Sequence, residues 1–282
     1  AGAVLMWCLA EYFTRRRRMV LPSLVLVVSL TLFVVLGAAS VLLDTTTAIP
    51  RDLGVAEALD RVGLALAVGA LAALAFFARF RLPFALFVTG VLALPVLFVQ
   101  TGALGGPIGA TLLLEDPGRA FDLAVAGPLA LTTLAAGVGA FALAMAFDMR
   151  DPYRVGRLSR CGFWMHLLAA PLIVNTLALT LVRSEGTWAL VALAGVIAAM
   201  VVVALVIDRR SFLLAAAGYV ALLLGVAFEG LRSDVASAVI LMVLGTAVAV
   251  LGAGWIALRG RLMRALPAFP GKSSLPPFAR VV

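Results

Sequence analysis

The chain is organised as long apolar runs broken by short charged ones. Eight runs are long enough, or nearly so, to cross a bilayer: Met19–Leu43, Val62–Ala78, Leu82–Val99, Asp122–Ala146, Cys161–Val182, Trp188–Ile207, Ser211–Phe228 and Val235–Leu258. Their lengths suit the ~17–25 residues that a tilted helix needs to pass the hydrocarbon. None alternates apolar and polar positions, so a β-barrel is excluded, and lipid otherwise admits only helices. Residues 1–13 form a further apolar stretch that runs into Arg15-Arg16-Arg17-Arg18. At ~1.5 Å per residue it covers about 20 Å, short of the ~30 Å hydrocarbon core, so it reads as the end of a helix that begins before Ala1. Its charges follow the apolar run, the reverse of a signal peptide. The pattern predicts an all-α, polytopic transmembrane helix bundle with eight complete spans plus a partial N-terminal span. The membrane domain covers 1–258, and a basic, Pro-rich tail covers 259–282.

The segments between the runs fall into two sets that alternate strictly. One holds seventeen basic residues: Arg15 to Arg18, Arg79, Arg81, Arg150, Arg154, Arg157, Arg160, Arg209, Arg210, and Arg259, Arg261, Arg264, Lys272 and Arg280 in the tail. The other holds five: Arg51, Arg61, Arg119, Arg183 and Arg232. Cytoplasmic loops carry the excess of basic residues, so the first set is expected inside a cell inner membrane, with the C-terminus cytoplasmic. Ten acidic residues, among them Asp44, Glu57, Asp122 and Asp234, lie on the opposite side. Trp7, Trp164 and Trp255 mark the cytoplasmic interface, and Trp188 the outer one. The turns Arg79-Phe80-Arg81 and Asp208-Arg209-Arg210 are so short that the runs they join must be antiparallel neighbours. Leu-Pro follows two basic turns, at Pro22 and Pro83. That is compatible with a repeated helix–turn–helix unit, although short basic turns recur in any multi-span protein. Residues 44–61 suit one or two amphipathic turns on the surface, and glycine-rich 100–119 suits a flexible or re-entrant loop.

Composition agrees with the pattern. The chain is 64% hydrophobic and 13% charged with mean hydropathy +1.15, against about half and a quarter in soluble domains. A soluble fold would lack polar surface to cover itself. The net charge of +8 would raise nucleic-acid binding in a soluble protein. Here the arginines are accounted for by topology, so the partner is the lipid bilayer, with anionic lipid at the basic turns as an additional expectation, and no nucleic acid. Two cysteines, Cys8 and Cys161, both lie on the side where thiols stay reduced, and the single histidine excludes a multi-histidine metal site. Neither a cofactor motif nor a catalytic motif is present, so an enzyme is not expected. No acid or base lies near the middle of a complete run, where ion-driven pumps usually place one.

Five residues remain as a possible solute path: Asp122, Pro128, His166, Pro171 and Asn175. Asp122 opens its run, and Gly127-Pro128 suggests a broken helix of the kind that forms transporter sites. The plainer reading is a boundary carboxylate followed by small residues for close packing. His166 falls five residues into its run, about 8 Å deep, which favours an interfacial ring over an intramembrane acid–base group. Pro171 frees the carbonyl of Leu167 in the same run, and Asn175 puts an amide past its middle. They read as interhelical hydrogen bonding or as a kinked path lining.

The stretch FWMHLLAAPLIV at Phe163–Val174 and the tail pattern LPAFP…LPP resemble segments of a family of uncharacterised multi-spanning inner-membrane proteins of Gram-negative bacteria. The resemblance covers about a tenth of the chain and implies the membrane class without an activity. Two functions follow as expectations: a transporter or permease for a small solute, or a non-catalytic scaffold or sensor subunit acting through protein partners.

Overall fold

A computed structural model describes residues 1–43, 55–103, 115–184, 187–210 and 234–278, and these are mostly helical with no strand among them. In chain order the helices are α1 (Gly2–Ala10), α2 (Val20–Leu42), α3 (Val55–Phe80), α4 (Phe84–Gln100), the single turn α5 (Pro117–Ala120), α6 (Gly127–Asp148), α7 (Arg157–Arg183), α8 (Thr187–Ile207), α9 (Asp234–Ala253) and α10 (Trp255–Ala265). A π-helical turn, Glu11–Arg16, continues α1, and a 3-10 turn, Lys272–Ser274, lies in the tail.

Among the described residues, four helices are long and apolar enough to cross a membrane: Val20–Leu42, Glu57–Phe80, Gly127–Asp148 and Arg157–Val182. A fifth is added if Gly245–Ala253 and Trp255–Ala265, bent by 65° at Gly254, count as one span. Eight complete spans are therefore not supported. The run at 82–99 forms a shorter apolar helix of 17 residues, Phe84–Gln100, and that at 188–207 forms α8, with an apolar stretch over Val191–Ile207. The run at 235–258 is broken at its bend. The run at 211–228 lies outside the described residues, as do most of the outer loops 44–61 and 100–119.

The run boundaries also shift. The helix expected from Val62 starts at Val55, because Glu57, Asp60 and Arg61 are helical, with Arg61 paired to Glu57 at 2.5 Å one turn away. The helix expected from Asp122 starts at Gly127, because Asp122 makes a turn instead. Its carboxylate accepts from Ala124 N at 2.8 Å and its carbonyl from Ala126 N at 2.8 Å. Pro128 then sits in the first helical turn, where a missing N–H costs nothing, so this helix is not broken at mid-span.

The chain divides into two compact units, Ala1–Ala136 and Gly137–Val282, with α6 running from one into the other. In the first, α1 to α4 pack on a core of Leu26, Val27, Leu30, Ala73, Phe76 and Val88, and α3 and α4 form the antiparallel hairpin expected from the Arg79–Arg81 turn. In the second, Phe141, Ala170, Ala204, Leu205, Ile207 and Trp255 share a core. Small residues set the approach of α6 and α7. A Cβ on Gly137 would lie 2.9 Å from Leu172 Cβ and 3.2 Å from the backbone nitrogen of Ile173.

The tail's first basic residues are helical in α10, and its proline stretch folds back onto that helix, as described next.

Candidate functional site

The strongest concentration of polar chemistry lies at the arginine-rich end of the second unit, and it begins with how α8 stops. Asp208 adopts φ 56°, a left-handed conformation that Asp tolerates better than most side chains. Asp208 N donates to Leu205 O at 3.3 Å and Arg209 N to Ala204 O at 2.9 Å, the paired bonds of a Schellman ending. The chain reversal brings Arg209 back under the helix bundle instead of out into water.

There Arg209 meets Asp148, the last residue of α6. A carboxylate at a helix C-terminus is badly placed against the helix dipole and needs compensation. Arg209 supplies it with two bonds, Nε to Asp148 Oδ2 at 2.9 Å and Nη2 to Asp148 Oδ1. The fork geometry matches the carboxylate, which makes such pairs the strong ones. His166 Nε2 lies 3.0 Å from the same Oδ2, and because an ionised carboxylate only accepts, the proton of this bond sits on Nε2. Arg209 Nη2 also donates to Ser159 O at 2.7 Å, tying in the first turn of α7. Asp148 is 2% exposed, Arg209 8% and His166 0%.

A second layer closes over the end of α8. Arg154, from the loop between α6 and α7, donates to the carbonyls of Ile207 and Asp208. Arg259 of α10 donates from Nε to Leu205 O at 3.1 Å, from Nη2 to Pro276 O at 2.6 Å and from Nη1 to Pro277 O at 3.1 Å. Trp255 Nε1 donates to Asp208 Oδ1 at 2.7 Å, and Arg210 stacks 5.6 Å over its ring. The terminal carbonyls of α8, which no helical N–H can reach, are thus met by arginines from two other segments. Burial, and Arg209 nearby, hold Arg154 below the ordinary arginine value.

The loop carrying Arg154 is fixed from beneath. Asp151 Oδ2 accepts from Gly156 N at 2.7 Å and Ser159 N at 3.3 Å, which caps α7. With Asp151 and Arg154 turned inward, Tyr153 and Val155 point outward, 77% and 83% exposed.

The five residues singled out from sequence divide between the units. Asp122 is buried in its turn and Pro128 is exposed in the first turn of α6. His166, Pro171 and Asn175 share α7, which runs as one helix from Arg157 to Arg183. Pro171 is exposed and Asn175 half-buried. His166 is the one that joins the network, and its placement corrects the interfacial reading. The helix begins four residues earlier than the apolar run, and the ring is fully buried, held by Asp148 and edge-on to Phe141 at 5.5 Å.

Asp148, Arg209, Ser159, Asp208 and Arg259 were not singled out from sequence. Their signal is an exception to the charge pattern. Of fourteen acidic residues, four stand on the arginine-rich side: Glu11, Asp148, Asp151 and Asp208. Glu11 pairs with Arg79 at 2.8 Å and Arg15 at 3.4 Å, and the other three build the network.

Chemically, this arrangement locks groups together. Asp148, Arg209 and His166 are buried and joined through the Asp148 carboxylate, Ser159 is bonded through Arg209 rather than His166, and among the described residues no three metal-ligating side chains gather. Comparison with protein-family models, curated proteins and solved structures finds no match, so the geometry carries the functional reading alone.

Proposed function

We propose that this chain is a multi-span protein of a bacterial inner membrane, with its arginine-rich side and C-terminus in the cytoplasm. We infer that it acts there as a non-catalytic scaffold or sensor subunit through protein partners. The observation that carries this reading is the loop 149–156. It is clamped from below by Arg154 and Asp151, and it holds Tyr153 and Val155 out at a fixed place. A surface whose side chains are already ordered loses less conformational entropy on binding. The charge asymmetry supports the orientation, and the resemblance of Phe163–Val174 supports the membrane assignment. The solute-path reading gains less support, because Pro171 and Pro128 are exposed on their helices and His166 is committed to Asp148.

The test uses single cysteines at 133, 153 and 175 in a background without Cys8 and Cys161, probed with a membrane-impermeant maleimide. Position 153 should label in inside-out vesicles only, and buried Thr133 and half-buried Asn175 should stay unlabelled from either side. Labelling of 175 as fast as 153 would reveal an aqueous path and return the reading to a transporter. For the partner, a photo-crosslinking residue at 153 should yield a discrete protein adduct in native membranes. Adducts with lipid alone would contradict the scaffold reading.

A further inference from the structure

The first unit carries a groove of opposite character, between α2, α3 and α4. Its volume is about 400 Å3, and Val28, Val35, Leu66, Phe84, Phe87 and Leu92 are among its walls. This lies within the ~300–1,000 Å3 of ordinary small-molecule sites. The groove also has a polar residue, Thr31, but its hydroxyl is turned to its own helix, within 2.9 Å of Val28 O and 3.0 Å of Val27 O. Nothing in the groove is therefore left to bind a polar ligand. Phe84 and Phe87 stack at 5.8 Å and form its wall at the arginine-rich end.

The three helices come closest within the groove at Gly69. On α3, a Cβ at Gly69 would overlap Val35 and lie 3.5 Å from Leu92, so the three helices converge where those two walls meet. Along α4 the lining runs from Phe84 to Leu92, about 12 Å at ~1.5 Å per residue. That is close to the ~15 Å half-thickness of a bilayer's hydrocarbon. Three residues before Phe84 stands Arg81, exposed and held at φ 58° in the turn. Arg79 on the same turn is engaged by Glu11 at 2.8 Å, whereas Arg81 has no acidic partner among the described residues.

An apolar groove whose α4 wall is about as long as half the hydrocarbon thickness, and begins three residues after an exposed arginine, matches one ligand class. We propose that the groove binds one acyl chain of an anionic phospholipid, whose phosphate rests on Arg81. The idea rests on the chain crossing a bilayer, which resistance to alkaline extraction from membranes tests separately.

The experiment is native mass spectrometry of the full chain in nanodiscs of equal phosphatidylglycerol and phosphatidylethanolamine, then after detergent washing. Wild type should retain one lipid, with the anionic headgroup in clear excess. Arg81→Gln should lower the anionic preference about fivefold, the usual contribution of one arginine near an anionic surface, while still retaining a lipid. Val91→Trp, which fills the groove from a lining position, should lose the retained lipid altogether. Because Arg81 is exposed, its variant leaves the core intact, so the proposal does not depend on the tryptophan variant folding. Retention of no lipid by wild type, an equal headgroup ratio in wild type and Arg81→Gln, or undiminished retention in a folded Val91→Trp would each overturn it.

Discussion

Arg209→Met leaves the Asp148 carboxylate buried without its forked partner. Breaking one side of a buried pair costs ~3–5 kcal/mol, because the remaining charge is neither solvated nor neutralised. Here Asp148 keeps His166 at 3.0 Å and a longer ion pair to Arg154 at 3.9 Å, which places the cost near the lower end, about 3 kcal/mol. Asp148→Asn alone strands Arg209 in the same way, although Ser159 O still accepts from it. The double variant removes both charges, and its loss should be about 1 kcal/mol, mainly packing and the bond to Ser159. The coupling between the two positions is then about 2 kcal/mol or more. Cys161 reports on this directly. It is 1% exposed in α7, so its thiol reacts with a maleimide dye only on unfolding, once Cys8 has been changed to Ser. At roughly 2–4 °C per kcal/mol, Arg209→Met should lower Tm on the order of 10 °C and the double variant by less than half of that. A double variant whose loss equals the sum of the two single losses would show that the pair is not coupled, and the network would lose its central bond.

Three further outcomes follow from the same geometry. Gly162→Ala puts a Cβ onto Asp148 Oδ1, 3.0 Å from Asp148 Cγ and 3.3 Å from Ala144 O, and the carboxylate cannot yield while Arg209 and His166 hold it. A loss of about 1–3 kcal/mol is expected in the Cys161 assay, and an unchanged Tm would refute the close approach of α6 and α7. Arg259→Gln removes a donor set that spans Leu205 O and two tail carbonyls, so trypsin should cut after Lys272 roughly tenfold faster or more, while Tm changes little. An unchanged cutting rate would mean that the tail is not held by Arg259. Arg→Lys changes separate topology from structure: replacing exposed Arg150, Arg157, Arg160, Arg210, Arg261 and Arg264 together should leave Tm and orientation intact, since both residues count equally in orientation. Arg209→Lys should cost ~2 kcal/mol or more, because one ammonium cannot reproduce the fork. Equal tolerance of both sets would contradict the assignment.

The long helices were legible because a helix satisfies every backbone group within the segment, and an unbroken apolar run of sufficient length is the sequence form of a helix suited to lipid. Their ends were less legible, for a reason visible at α3 and α7. Cutting each helix at its first charge treats charges as loop residues, but Glu57, Asp60 and Arg61 open α3 within its helix, and Arg157 and Arg160 lie in the first turn of α7. At Asp122 the same logic fails in the other direction, since a carboxylate that bonds its own backbone makes a turn and delays the helix to Gly127. The count of eight spans is not supported among the described residues, in part because hydropathy does not register where a run bends. Gly254 breaks the last apolar run by 65°, and no proline marks the place.

The network was hidden by a counting rule that is correct on its own terms. Positive-inside reasoning sums arginines and does not ask what each one touches, so Arg154, Arg209 and Arg259 look the same as Arg150, Arg210 and Arg261. What separates them is the acids. An Asp placed among arginines at a bilayer surface weakens the orientation signal only slightly, so orientation does not explain its presence. Asp148 and Asp208 end or follow apolar runs, where each draws a guanidinium inward, Arg209 to Asp148 and Arg154 to Asp208 at 3.6 Å. His166 fits the same logic. Its depth from the start of the apolar run suggested contact with headgroups, yet α6 brings Asp148 to the same level and the ring is satisfied inside the protein. An acid on the basic side is therefore the better guide to ordered structure at this end of the helices than the number of arginines around it. By that criterion Glu11, which joins the π-helical turn to Arg79 of α3, does for the first unit on a smaller scale what Asp148 does for the second.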